Sequence, residues 1–353
     1  MNNNEPLLIN ISDWKLNLFI AFEIIILAAY VYFLLRRGSS GGNLAESIYE
    51  FRNERTTGEI TESLPAILRL SNYILISAGY WFSYVLVNNY SVKKKITWKI
   101  VIIIGLVVAS SLIEGGRNNS INVLLSIFVF MTIYRKRETA FKERLKPKMI
   151  VKVGLLASAG LYGMVYFAKV LGRKLLFTPM YYLATYCGAE IKNLDIFLNS
   201  ARTEPAIWGE QTFVNLVKAV GGYFISNFDS HYAINPYQKV NGYYLANVYT
   251  TFKAYIHDFG YVGMIVLVIV MAIINQIVYE KALVAKNKKY PGLYCLLYGF
   301  LFNTILFSFF SNKFYENLFS LRFIRYLIFW YLFYFFFCKV RFVKKDRTGR
   351  IIR

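Results

Sequence analysis

Residues 110–122 read SSLIEGGRNNSIN and lie between two apolar runs, ITWKIVIIIGLVVASSLI and INVLLSIFVFMTIY. Gly115 and Gly116 let the backbone turn tightly and approach a ligand. The polar stretch NNSIN then opens the next helix, with Asn119 or Ser120 placed to cap it. A helix N-terminus favours an anion through its free N–H groups and dipole. Arg117 adds a planar, permanently charged fork suited to phosphate. The simpler role is a Glu114–Arg117 pair that ties off the turn; anion binding is the reading carried forward.

A second basic pair, Arg322 and Arg325, stands three residues apart and shares one helix face. Both lie within the apolar stretch NLFSLRFIRYLIFWYLFYFFF. A charge at the centre of a membrane span costs roughly 2.5–3.5 kcal/mol, and less near its ends, so the pair calls for an anionic partner. Arg36, Arg37, Arg52, Arg55, Arg173, Lys174 and Arg202 also fall on loops read as outward-facing, and Lys169 at the helix end before one of them. For these, snorkelling or pairing on a solvated loop is the simpler account.

Acidic candidates are fewer. Glu23 lies within the first apolar run and would pair with a neighbouring helix. Glu190, Asp195, Asp229 and Asp258 lie in the one long polar segment, with both histidines, His231 and His257. His257 beside Asp258 has the composition of a base with its orienting acid, although adjacent helical residues rarely face each other. No His/Cys/Asp set has metal-ligand spacing, and no P-loop, GxSxG or HExxH occurs. Neither a metal nor a cofactor is expected.

The elements that must position these residues are membrane helices. Hydrophobic residues make up 56% of the 353-residue chain, above the roughly 45–50% of soluble domains. Several runs approach or exceed about 18 apolar residues, whereas a β-barrel would show short alternating segments. The net charge of +21 reflects basic cytoplasmic loops, so no nucleic-acid partner is inferred. Cys187, Cys295 and Cys338 form no disulfide framework. Eight helices are expected, near 16–35, 66–87, 96–113, 120–134, 150–170, 259–279, 292–310 and 317–338. The first exceeds a signal-peptide core and is read as retained.

Basic stretches at 92–95, 135–148, 280–289 and after 338 mark the cytoplasmic side. Residues 36–65, 114–119, 171–258 and 311–316 then face outward, although Arg36 and Arg37 run against that assignment. The whole chain, 1–353, reads as one integral membrane domain. Its 171–258 loop is too long for a plain connection. It contains two stretches suited to helices at the membrane surface, 179–199 and 211–224.

Three stretches in order resemble the Wzy family, the oligosaccharide repeat-unit (O-antigen) polymerases of bacterial surface polysaccharide synthesis. EGGRNNSI resembles that family's Gly-Gly-Arg turn before an apolar helix. YCGAEIKNLDIFL with WGEQTF is similar to its outer-loop pattern, and NVYTTFKAYIHDFGYVGMI to its block before a later helix. The resemblance spans about residues 40–340. Family members carry more helices before the position of Arg36, and His257 stands at a position variable in the family, which moves the weight to Asp258.

The resemblance implies an all-α, GT-C-like polytopic membrane protein, about eight spans with one long outer loop. The implied activity is a metal-independent glycosyltransferase without cofactor at the outer face of the bacterial inner membrane. It would move a growing glycan from undecaprenyl diphosphate onto a fresh lipid-linked unit, making O-antigen or capsule. Its partners would be that lipid-linked oligosaccharide, membrane lipid, and chain-length regulator and flippase proteins.

On this reading Arg117, with Arg322 and Arg325 or Arg173, grips the diphosphate, because arginines must stabilise the charge that develops on it. Asp258 or Glu190 activates the acceptor hydroxyl. Arg202, Asn193, Asp195, Asn247 and Tyr249 complete the candidate substrate-binding set. A glycan ligase of the same chemistry is one rival. A lipid-linked oligosaccharide flippase is another, but the paired broken helices it predicts are not evident.

Overall fold

The computed structural model describes residues 8–37, 43–57, 64–114, 116–138, 163, 177–200, 205, 207–224, 235–284, 292–340, 344–345 and 351–352. Within these, the chain is an all-α membrane protein with a small hairpin. The helices are α1 (Asp13–Arg37), α2 (Leu44–Thr57), α3 (Ala66–Lys93), α4 (Trp98–Ile113), α5 (Asn118–Glu138), α6 (Pro179–Asn199), α7 (Val214–Phe224), α8 (Thr251–Val284), α9 (Leu293–Leu306), α10 (Lys313–Leu318) and α11 (Leu321–Phe333), the last continued as a π-helix to Lys339. The antiparallel strands β1 (Gln238–Val240) and β2 (Tyr243–Ala246) precede α8.

Among the described residues, four helices are long and apolar enough to cross a membrane: Asp13–Arg37, Ala66–Lys93, Thr251–Val284 and Leu321–Lys339. Trp98–Ile113 and Leu293–Phe309 are apolar but shorter. The helix expected at 150–170 lies, residue 163 apart, outside the described residues.

Three expected boundaries move. The loop after α1 forms the charged helix α2, which tucks Ile48 and Phe51 inward and pairs Glu54 with Arg37. The span expected from 259 follows the kink at Gly260 (φ 67°), and residues 251–259 form a separate helical stretch before it where a loop was expected. The helix expected over 317–338 breaks at Ser320, whose hydroxyl accepts the amide of Phe323 at 3.1 Å and caps α11. Arg322 and Arg325 therefore sit in the opening turns of α11, where a charge costs less than at mid-span.

The core is built on α3, which packs against α1, α4, α5, α9 and α11. A β-carbon added at Gly79 would stand 2.8 Å from Val123 Cγ2, so this glycine permits the close contact of α3 with α5. Trp81 and Phe82 of α3 each lie 5.2 Å from the ring of Phe337, and Phe19 of α1 lies 5.8 Å from it. Each such pair is worth about 0.5–1.5 kcal/mol beyond its burial. Glu23, expected to pair, is fully buried, and neither carboxylate oxygen has a hydrogen-bond partner among the described residues.

The helix ends sort into two groups. Lys99 pairs with Asp13 at 3.3 Å and Lys94 with Glu138 at 3.6 Å. Arg137 Nε donates to Ala282 O at 3.0 Å, and Lys15 Nζ to Val340 O at 2.6 Å. The helix ends that carry Lys15, Lys94, Lys99 and Arg137 thus meet at one end of the bundle. The turn at 114–117, the start of α11 and helix α6 meet at the other.

Candidate active site

Helix α6 is the element that ties the distal end together. Thr178 caps it, accepting the amide of Tyr181 at 3.3 Å, and Pro179 opens it. Tyr186, Glu190, Asn193 and Phe197 are spaced by four, three and four residues, which puts them on one face. Each does something different there. The Tyr186 hydroxyl accepts from Arg117 Nη2 at 2.9 Å. Asn193 Nδ2 donates to Val248 O at 2.7 Å and fastens α6 to the segment after β2. The Phe197 ring lies 5.6 Å from Lys253 Nζ.

Glu190, between them, is fully buried, and neither of its oxygens has a hydrogen-bond partner among the described residues. Burial pushes its pKa up to about 7. Asp195 faces the other way. It is exposed, pairs with Lys192 at 2.7 Å, and is held below the usual carboxylate range chiefly by that lysine's hydrogen bond.

The three described candidate arginines are held by different elements. Arg117 precedes α5 as the sequence leads one to expect, and its carbonyl accepts the amide of Ile121 at 3.1 Å. The capping assigned to Ser120 is corrected: its hydroxyl donates instead to Val108 O at 3.1 Å. Glu114 is buried and accepts from Asn72 Nδ2 at 2.5 Å. The next residue, Tyr73, carries Arg325 over its ring at 4.6 Å. Arg322 stands four residues before Tyr326, on the same face of α11. Arg117 thus reaches α6 and Arg325 reaches α3, while Arg322 stands in the opening turn of α11. Arg173 and Arg202 lie outside the described residues.

Asp258 is buried at a joint. Its Oδ2 accepts the amides of Thr212 at 2.6 Å and Gln211 at 3.1 Å, and its Oδ1 lies 3.0 Å from His257 Nδ1. Asn312 Nδ2 donates to the carbonyls of the same two residues, at 2.9 and 2.8 Å. The turn at 207–213 is therefore locked to both α8 and the start of α10. Here the structure supplies the His–Asp contact that adjacency made improbable, because the His257 ring lies back against the carboxylate.

Lys253 is enclosed by Phe197 and Tyr249 and donates to Asn235 Oδ1 at 2.7 Å. Tyr249 donates to Pro236 O at 3.2 Å and accepts from Gln238 at 3.0 Å, so it braces the hairpin; burial raises its pKa. Asn247 is half-buried in the turn after β2.

Sequence reasoning missed Lys253 and Glu210. Glu210 Oε1 lies 3.9 Å from His257 Nε2. Both residues stand inside the quoted motifs, WGEQTF and TTFKAYIHDFG, but neither has a spacing that marks it. Glu210, His257 and Asp258 are the described residues whose ligand atoms could together hold a metal ion.

No protein family, curated protein or solved structure matches the chain. Its chemistry must be read from its own geometry.

Proposed function

We propose that this chain is a membrane glycosyltransferase that polymerises lipid-diphosphate-linked oligosaccharide units, the activity implied by its resemblance to the Wzy polymerases. The reaction would take place at the outer face of the bacterial inner membrane and build O-antigen or capsule. Arg117, Arg322 and Arg325 form the diphosphate clamp. As the bond from the sugar C1 to the diphosphate oxygen breaks, negative charge builds on the leaving group, and preorganised guanidinium groups lower the barrier. A hydroxyl of the acceptor unit forms the new bond to C1 and gives up its proton.

Glu190 is the group that takes that proton. The observation that carries this choice is the contrast between two buried carboxylates. The oxygens of Asp258 are occupied by the Thr212 and Gln211 amides and by His257, whereas both oxygens of Glu190 lack partners. A base with a pKa of about 7 is poised for transfer near neutral pH. Because Glu190 is fully buried, α6 must shift outward to admit the acceptor. Release of the Arg117–Tyr186 hydrogen bond would free the arginine for phosphate at the same moment.

The test supplies the purified chain in lipid nanodiscs with an undecaprenyl-diphosphate-linked repeat unit. A ladder of oligomers with release of undecaprenyl diphosphate is expected. Diphosphate release without lengthening points to a ligase or hydrolase, and no release at all removes the proposal.

A further inference from the structure

We propose that Arg69 is a further arginine of the anion clamp, standing between the turn that leads to Arg117 and the helix that carries Arg322 and Arg325. The inference rests on the clamp proposed above and adds the group that bridges its two sides. The sequence hides Arg69 because it lies in the opening turns of an apolar helix, AILRLSNYILISAGY, where snorkelling would account for a single charge.

The helix register places it. Residues three and four apart share a helix face, with Cβ atoms about 5–6 Å apart. Three residues after Arg69 is Asn72, whose Nδ2 donates to Glu114 Oε2 in the turn that leads to Arg117. Four residues after it is Tyr73, whose ring carries the Arg325 guanidinium at 4.6 Å. Arg69 thus stands one turn nearer the end of the bundle than both contacts, above the junction of the 114–117 turn with α11. Arg322 lies at the same level. Helices α3 and α11 run parallel, with Tyr73 against Arg325 and Ser77 O accepting from Trp330 Nε1 at 3.1 Å. One turn before Tyr73 therefore meets one turn before Arg325. Helix α5 runs the same way, since Glu114 before it meets Asn72 and Tyr134 near its end donates to Asn88 Oδ1 at 2.7 Å. The first turns of α3, α5 and α11 hold no acidic residue, and each adds the positive end of a helix dipole.

Charge identifies the class of ligand. Arg69 and Arg322 are exposed, and neither guanidinium has a hydrogen bond or ion pair among the described residues. Glu114, the carboxylate at this junction, is buried and already accepts from Asn72. Arg69, Arg322 and Arg325 against one engaged carboxylate leave the junction positive, and a cleft lined by one sign of charge concentrates the opposite ion. Forked guanidinium donors suit phosphate oxygens. The junction lies at the ends of two helices long enough to span a membrane, the depth at which lipid head groups sit. The ligand is a lipid phosphate, and a diphosphate offers oxygens to guanidinium groups on both sides of the junction where a phosphodiester offers fewer.

The experiment titrates the full chain in detergent with undecaprenyl diphosphate and, separately, with phosphatidylglycerol, and counts bound lipid by native mass spectrometry. About one undecaprenyl diphosphate should bind per chain, more tightly than phosphatidylglycerol. Arg69→Gln should weaken it about 10–100-fold, the loss of one charge-assisted contact, with Tm unchanged because the side chain is exposed. Arg69→Lys should recover part of the affinity. Wild-type affinity in Arg69→Gln overturns the inference and leaves the Arg117 clamp standing. Equal affinity for the two lipids also overturns it, because the arginines then serve ordinary phospholipid. Diphosphate binding that depends on Arg69, without oligomer formation in the nanodisc assay, upholds this site and removes the polymerase reading. Absence of saturable binding by the wild type removes both.

Discussion

Two buried carboxylates at the same end of the bundle are treated in opposite ways. Asp258 accepts two backbone amides and contacts a histidine. Glu190 is equally buried and has no partner among the described residues. Buried polar groups are normally hydrogen-bonded, so an orphaned carboxylate is a destabilising feature retained for another reason. Asp258 has the environment of a strut and Glu190 that of a reagent.

The largest effect that could break this comparison is on turnover. Glu190→Gln should lower polymer formation by about 10²–10⁴-fold, the usual contribution of a general acid or base, while its Tm equals or exceeds that of the wild type. Loss of Tm in step with activity would place Glu190 with the struts. Next comes Asp258→Ala. It leaves the Thr212 and Gln211 amides without their acceptor and should destabilise the fold by about 3–5 kcal/mol, read by thermal unfolding in detergent. Its activity should fall only as far as the folded fraction falls.

Arg117→Ala should reduce diphosphate release by about 10²–10³-fold, a typical loss for one oxyanion-stabilising group. Arg117→Lys should recover part of it, since a lysine keeps the charge but loses the fork. Tyr186→Phe sharpens the same contrast. It removes the hydroxyl that holds Arg117 without touching the guanidinium, and should shift KM more than kcat.

The smallest effect is in pH. The raised pKa of Glu190, about 7, means that the folded state holds this proton more tightly than the unfolded chain, in which the group titrates near 4.5. The stability tied to that proton is complete below pH 4.5 and disappears as pH rises through 7. Wild type and Glu190→Gln should therefore converge in Tm at the acid end, and the wild type should fall behind between pH 4.5 and 7. Parallel curves across that window would show Glu190 to be solvated.

The sequence made the membrane class legible because composition and apolar runs report burial in lipid directly. Most of the described helices fall where hydropathy puts them. The misplacements have local causes. Ser320 caps α11 and splits one expected span, and the end of the expected loop, 251–259, is helical up to the Gly260 kink. The loop after α1 forms a helix because Ile48 and Phe51 find apolar partners.

At the site, types were legible and roles were not. Glu190 and Asp258 stand in the motifs, but only packing tells which carboxylate is satisfied. Asp195 follows Asn193 by two residues and so falls on the opposite face of α6. Glu210 and Lys253 gain meaning only when the 207–213 turn docks on α8, a contact that no periodicity announces.

The central claim is tested most directly by Glu190→Gln and Asp258→Asn in one assay. Each is reconstituted in nanodiscs with a lipid-diphosphate-linked repeat unit, and oligomer formed is divided by protein folded. The account predicts no ladder from Glu190→Gln at wild-type stability. It predicts a ladder from Asp258→Asn that matches the wild type once scaled to the folded fraction. A wild-type ladder from Glu190→Gln, or a fully folded but inactive Asp258→Asn, would contradict it.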